Sequence, residues 1–428
     1  MASVGSAVSD RLRGFGRGRQ FAFLSMALIQ VLVLVRSALI ARALGPEQYG
    51  IAATFILLQQ FLDSTSDTGL NKFVVSSANG YTRSALATVH GIALVRSGII
   101  ACLLLAVAYP VFLAMDLGRS VTPFAVLAAS ALCIGLINFD GYRMQRSGDF
   151  LNLSSASLAA DLLATIAAFL IVKFDQSYMV AIYVILIKSF TTALFSFAMA
   201  RRPYQIRFGG ADFRHVFAFS LPLFFNGPLL FFSAQAERLV AVWSLPAREL
   251  GVYMAALLLI YAPSQLFLRF LGTIFLPILS RQIRAEGRYG PELGQVTALS
   301  AGIMAAGFAV LGPWLVTIIF GAAYHLEWLV VAIIGLTQAL RFSRLWSSTI
   351  ALAHGMTSQV LAANSFRLVV IPSCLAGVWA IGGTLGLACG ALAGELTALF
   401  VANWSVRRNL SRRQRLNRVN AEHDSEGN

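Results

Sequence analysis

The chain has 428 residues, of which 57% are hydrophobic and 12% charged, with a formal net charge of +14 and a mean hydropathy of +0.73. A soluble domain carries about 25% charged residues, so these figures exclude a soluble globular protein, as well as a disordered chain, a coiled coil and a collagen. Only Lys72, Lys173 and Lys188 among the basic residues are lysine; the excess reads as arginine that retains loops on the cytoplasmic side of a membrane, not as a nucleic-acid surface.

A bilayer core needs about 20 apolar residues per helix. Twelve runs of that kind are predicted as spans, near 21–41, 48–66, 88–109, 121–140, 150–172, 178–200, 214–234, 250–277, 293–319, 326–350, 358–381 and 384–405. Four arginines (Arg11, Arg13, Arg17 and Arg19) precede the first run. It is longer than the roughly 7–15 apolar residues of a signal peptide, so an uncleaved first span is expected.

The loops orient the set. With an even number of spans both termini share a side. The loops and tails of that side hold 21 Lys and Arg against 5 on the other (Arg42, Arg119, Lys173, Arg238 and Arg248). The positive-inside rule then makes both termini cytoplasmic. The longest connection, Arg201 to Phe213, is basic and separates six spans from six.

The expected organisation is a basic tail at 1–20, a six-helix bundle at 21–200, a basic linker at 201–213, a second bundle at 214–406 and a basic tail at 407–428. A shift of 201 residues lays Leu44 to Gly50 on Leu245 to Gly251, a weak echo in which only the end residues match. The fold class expected is therefore an all-α polytopic membrane protein, about 12 transmembrane helices in two bundles around a central cavity, the plan of a transporter.

Seven basic residues fall inside spans: Arg36, Arg96, Lys188, Arg269, Arg341, Arg344 and Arg367. Each costs roughly 2.5–3.5 kcal/mol at a helix centre. Seven facing lipid would cost about 20 kcal/mol, more than a fold's usual margin of about 5–15 kcal/mol. Most must face protein or water.

Helical spacing agrees. Thr337, Arg341, Arg344 and Ser348 share a face of span 10. Tyr261, Gln265, Arg269 and Thr273 share one on span 8, and Ser154, Ser157, Asp161 and Thr165 one on span 5. Gln60, Asp63, Asp67 and Asn71 line span 2, and Lys188 and Thr192 lie one turn apart on span 6. The acids Asp63, Asp67, Asp161, Glu237 and Glu395 are fewer than the bases, so the interior leans positive and the cargo should be an anion. An anion leaving the cytoplasm gains about 2.3 kcal/mol per charge per 100 mV.

Gly386, Gly390 and Gly394 repeat at four-residue spacing, the mark of close helix packing. Pro222 and Asn226-Gly227-Pro228 predict a bend in span 7. Cys102, Cys133, Cys374 and Cys389 form no metal-binding or disulfide pattern. No HExxH, GxSxG or GxxxxGK[ST] motif occurs, which argues against a common hydrolase or an ATPase. No cofactor and no metal is expected.

The segment Ala41-Arg42-Ala43-Leu44-Gly45-Pro46-Glu47-Gln48-Tyr49-Gly50, followed by Asp67-Thr68-Gly69-Leu70, resembles the first hairpin of the polysaccharide biosynthesis flippases. These belong to the multidrug/oligosaccharidyl-lipid/polysaccharide exporter superfamily. The resemblance implies an alternating-access carrier in the bacterial inner membrane, not an enzyme. It implies as cargo an undecaprenyl-diphosphate-linked oligosaccharide bound in a cationic cavity, with membrane lipids and other polysaccharide assembly proteins as partners.

By that resemblance Arg36, Arg269, Arg341 and Arg344 are the first choices for the cavity, joined by Arg96, Arg367 and Lys188. Asp63, Asp67, Asp161 and Glu395 are candidate coupling or pairing acids. Two other functions stay open: a drug/cation antiporter of the same superfamily, which would prefer an acidic cavity, and a membrane polysaccharide polymerase or ligase, which would want a large outer loop.

Overall fold

The computed structural model describes residues 17–66, 69–115, 120–286, 292–354 and 356–426. All regular structure among them is helical. In chain order the α-helices are α1 (Arg17–Ser66), α2 (Leu70–Ser76), α3 (Arg83–Met115), α4 (Thr122–Gly135), α5 (Asp140–Arg146), α6 (Leu151–Ile171) and α7 (Met179–Ala198). They continue as α8 (Gly210–Ser244), α9 (Ala247–Glu286), α10 (Glu292–Phe320), α11 (Trp328–Ala353), α12 (Thr357–Phe366), α13 (Val370–Ile381) and α14 (Gly383–Glu426).

Eight helical stretches among the described residues are long and apolar enough to cross a membrane, or nine if α4 and α5, bent by 47°, count as one span. One of the eight, Gln20–Ser64 in α1, contains two predicted spans. Predicted spans 7 and 8 fall on α8 and α9, where several side chains lie outside the described residues. The chain is an all-helical, multi-pass membrane protein.

It forms two compact units. Unit 1 holds Met1–Phe231, Leu250–Ala255 and Ile319–Tyr324; unit 2 holds Phe232–Glu249, Ala256–Ile318 and His325–Asn428.

Within unit 1, the expected turn between the first two spans falls at Gly45, where two helices meet at a kink inside α1. Gly45 sits at φ 73, ψ 169, with Pro46 next to it. Positive φ suits glycine, and proline offers no N–H to the preceding turn, so one helix ends at Gly45 and the next begins at Pro46. The bend is held from several sides. Tyr324 Oη donates to Ala41 O at 2.6 Å, and Arg42 Nε donates to Ile319 O at 2.9 Å. Tyr178 N donates to Gln48 Oε1 at 3.2 Å. The Tyr49 and Tyr324 rings meet edge to face at 6.0 Å. Gly251 lies so close that an added Cβ would come within 1.8 Å of Pro46 O. Burial, with Tyr49 beside it, pushes the Tyr324 hydroxyl up from its usual range and keeps it a donor.

In unit 1, α6 packs against both α1 and α7, α7 against α4, and α4 against α3. Ala156, Ala160, Ala164 and Ala168 make a four-residue stripe along α6, and all four are buried. Between apolar helices in lipid there is little hydrophobic drive, so small residues that let backbones approach carry the association. A separate apolar core joins Phe55, Leu104, Phe124, Leu127 and Ile182.

In unit 2, α14 packs against α11 and α13, and the glycine stripe lies on α14. A Cβ at Gly386 would fall 2.4 Å from Gly377 O, one at Gly390 2.4 Å from Ser373 O, and one at Gly394 2.7 Å from the Val370 Cα. The four-residue glycine spacing is thus a close helix contact.

Candidate functional site

The intramembrane charges gather into two clusters, one inside each unit. In unit 1, Asp161 stands on α6 directly after Ala160 of the alanine stripe. The close approach of α1 and α7 delivers a cation from each side. Arg36 Nη1 donates to Asp161 Oδ1 at 3.1 Å, and Lys188 Nζ lies 2.9 Å from the same oxygen. The carboxylate is 3% exposed, Arg36 12% and Lys188 41%. Thr165 Oγ1 donates to Asp161 O at 2.8 Å. Two cations share one acid.

Asp63 is treated differently. Gln59 Nε2 donates to Asp63 Oδ1 at 2.9 Å, and Gln59 in turn accepts from the buried Ser130 Oγ at 3.3 Å. Asp63 makes no ion pair among the described residues, although the charges of Lys188 and Arg96 reach it. The Arg96 side chain is half-buried on α3. Asp67 lies outside the described residues.

In unit 2, Glu395 follows Gly394 of the glycine stripe. Because Gly394 admits the Val370 backbone, Arg367, one turn before Val370, comes within 3.5 Å of Glu395 Oε1. Arg341 on α11 spans two acids: its Nε donates to Glu395 Oε1 at 2.8 Å and its Nη2 to Glu237 Oε2 at 2.7 Å. Arg344 Nη1 lies 3.4 Å from Glu395 Oε2, though neither atom has a hydrogen-bond partner. Three guanidinium groups meet two carboxylates. Glu237 and Glu395 are nearly inaccessible, at 3% and 1%.

A cavity of about 260 Å³ adjoins this cluster inside unit 2, and Arg341, Arg344, Ser347, Ser348 and Asn364 line its polar side. Drug-sized ligands occupy roughly 300–1,000 Å³, so the space suits a phosphate-sized group. The predicted stripe of α11 divides here. Arg341, Arg344 and Ser348 reach the cavity, whereas Thr337 is buried and its Oγ1 donates to Ile333 O at 2.8 Å. The Arg269 side chain lies outside the described residues, and span 8 brings Leu268 to the cavity lining.

Sequence reasoning named Glu237 only as an acid to be counted. α8 runs to Ser244, ten residues past the predicted end of span 7, and places Glu237 well inside the helix. The alanine stripe went unread although its spacing equals that of the glycines. The strap that His90 makes with the central linker was also missed; the only signal was a lone histidine inside an apolar span.

Helical bundles in two units, with buried arginines that outnumber the acids they touch, define a multi-pass membrane protein with charge clusters inside its helices. The solved structures agree on the fold. An inward-facing MATE family multidrug resistance transporter of the MOP superfamily aligns at a TM-score of 0.70 and 15% identity, covering 92% of this chain and 98% of that one. The lipid II flippase MurJ, in an inward closed conformation, aligns at 0.70 and 16%, covering 90% and 87%. A MOP superfamily transporter from Pyrococcus furiosus, reported with a binding pocket of reverse polarity, aligns at 0.58 and 14%, covering 93% and 98%. No curated protein matches the sequence. Residues 39–328 match the family described as polysaccharide biosynthesis protein, and the chain belongs to that family.

Proposed function

We propose that the protein is a flippase. It would carry an anionic lipid-linked oligosaccharide, an undecaprenyl-diphosphate-linked repeat unit, from the cytoplasmic to the periplasmic leaflet of the bacterial inner membrane for surface polysaccharide assembly. It would do so by alternating access, with both termini cytoplasmic and with no catalytic step. The observation that carries this reading is the unit 2 cluster, where three arginines meet two acids beside a cavity of about 260 Å³. A guanidinium whose charge is only partly answered, on the wall of a phosphate-sized space, suits bidentate phosphate binding. The family supports the polysaccharide context, and the MurJ likeness supports a lipid-linked precursor as the cargo class.

In this reading Arg344 and Arg341 meet the cargo phosphates in unit 2, with Arg367 holding Glu395. Arg36, Lys188 and Arg96 supply the positive field of unit 1. Arg269, Asp67 and the two-bundle division at 201–213 remain part of the proposal. Asp63 is the candidate coupling acid.

The second reading, a drug/cation antiporter, draws on the equal likeness to the MATE transporter and on Asp63. Against it, Asp161, Glu237 and Glu395 are each already paired with a cation.

Deleting the gene separates the two. The flippase reading expects lipid-linked repeat units to accumulate on the cytoplasmic leaflet and surface polysaccharide to disappear, with Arg344→Ala unable to restore it. Continued polymer export together with raised sensitivity to cationic drugs would replace it with the antiporter.

A further inference from the structure

The arginine-rich segment between α7 and α8 is not a free tether. Residues 201–208 form a strap pinned along α3, and the pins are buried groups. His90, only 2% exposed, places Nδ1 at 3.0 Å from Gln205 O and accepts from Phe139 N at 3.1 Å through Nε2. The Tyr204 ring stacks on His90 at 4.2 Å. Arg207 N donates to Ala87 O at 3.0 Å, and Asn138 Nδ2 donates to Arg202 O at 3.2 Å. Gly91 makes the close approach feasible: a Cβ there would lie 2.8 Å from Arg207 O.

Pinning the strap leaves a pocket of about 530 Å³ between it and the first turns of α3, lined by Arg83, Ser84, Ala87, Gln205, Ile206 and Arg207. Its charge is one-sided. Arg207 Nη1 donates to Ser84 Oγ at 2.8 Å, which leaves its charge unanswered. Arg83 has no hydrogen bond or ion pair among the described residues. The nearby Asp140 is already taken, accepting from Arg143 Nε at 2.5 Å and from Arg201 N at 2.9 Å. Burial, then repulsion from Arg143 and Arg83, pulls the Arg202 guanidinium below its usual range even with Asp140 close by. The exposed Ile206 gives the lining an apolar edge, and Phe208, two residues along the strap, is exposed as well. Arg83 also opens a membrane-spanning stretch, Arg83–Ala106, so the pocket lies at headgroup depth.

We propose that this pocket binds the phosphate of an anionic membrane lipid between Arg83 and Arg207, with the acyl chains against Ile206 and Phe208. A forked guanidinium recognises a phosphate through two parallel hydrogen bonds, and basic pockets at the membrane surface recognise anionic headgroups. The apolar edge selects a lipid over a free anion. The site is separate from both intramembrane clusters and does not depend on the identity of the cargo.

Native mass spectrometry of the full chain in detergent, titrated with phosphatidylglycerol, phosphatidylcholine of the same acyl chains or inorganic phosphate, tests it. Phosphatidylglycerol should be retained in preference to phosphatidylcholine, and inorganic phosphate should displace it weakly. The double variant Arg83→Ala/Arg207→Ala should bind phosphatidylglycerol about 30-fold more weakly, while Arg83→Lys/Arg207→Lys keeps part of the affinity. Ser84→Glu puts a carboxylate beside Arg207 and should block the lipid even if the alanine pair folds poorly. Equal retention of the two lipids, unchanged affinity in a folded alanine pair or in Ser84→Glu, or inorganic phosphate binding as tightly as phosphatidylglycerol would each overturn the lipid site.

Discussion

The two ionic clusters are built on the same plan with the signs exchanged. Counted along each half of the chain, both use the first, fifth and sixth spans. In unit 1 these carry Arg36, Asp161 and Lys188; in unit 2 they carry Glu237, Arg367 and Glu395. In both, the sixth or fifth span bears a small-residue stripe with the acid placed directly after one of its members, Ala160 before Asp161 and Gly394 before Glu395. Unit 2 then adds Arg341 and Arg344 from its fourth span. Unit 1 has one acid under two cations, and unit 2 has two acids under three.

The difference teaches what each cluster is for. The single aspartate is shared by Arg36 and Lys188, and Lys188 keeps 41% exposure to its surroundings. In unit 2 the acids are almost sealed, and the arginines are bound to one another through them. Removing a charge there disturbs every partner. Unit 1 is therefore the looser electrostatic element, and unit 2 is the knot in which one arginine, Arg344, reaches the cavity with the weakest hold.

The largest effect should come from Glu395→Ala. It strands Arg344 and Arg367 and leaves Arg341 only Glu237, and leaving one buried charge without its partner costs about 3–5 kcal/mol. Membrane abundance and the thermal midpoint in detergent should fall steeply. Asp161→Ala should fall less, because Lys188 can turn to water. If Asp161→Ala is the more damaging, the ranking of the two clusters is wrong.

Next come the two arginines of α11. Arg341→Ala leaves Glu237 and part of Glu395 unanswered, so protein and transport should drop together, again by about 3–5 kcal/mol of stability. Arg344→Ala should leave abundance near normal while transport stops, and Arg344→Lys should retain part of it, since lysine keeps charge but not the planar fork. Transport normalised to protein level separates them. Two variants that behave alike would remove the distinction between knot and cavity.

Gly394→Ala is smaller. Its Cβ would press on the Val370 backbone at 2.7 Å, and overpacking of this kind costs about 1–3 kcal/mol. It should also separate Arg367 from Glu395. Smallest is Lys188→Ala, where an exposed partner is worth about 0–1 kcal/mol. Its thermal midpoint should hardly move, so any loss of transport would be read as a functional charge.

Much of this frame was legible in the sequence because lipid imposes one rule on every span. The twelve apolar runs all fall on helices, and the glycine spacing on α14 marks a real contact. What was not legible is the pairing. Arg341 finds acids 104 and 54 residues away, and only the three-dimensional approach of α8, α11 and α14 connects them. Helix ends also outrun apolar windows, since backbone hydrogen bonding continues where hydropathy stops. That is how Glu237 escaped span 7. The alanine stripe on α6 was hidden because alanine, unlike glycine, is unremarkable in any helix, exposed or buried. The central linker looked like a basic loop, and nothing but His90 marked the seam that fastens it to α3.

The bend at Gly45-Pro46 has a consequence for how the chain is made. Its corner emerges early from the ribosome, yet Gly251 and Tyr324, which close it, come more than 200 residues later. At about 5–20 residues per second, Tyr324 follows by roughly 15–55 seconds. Throughout that interval the corner lacks the Tyr324 hydroxyl that later donates to Ala41 O. The first half of the chain is therefore synthesised as an unfinished object. Expressed alone it should be short-lived, and supplying the second half as a separate polypeptide should extend its lifetime, because the last pieces of unit 1 are encoded there.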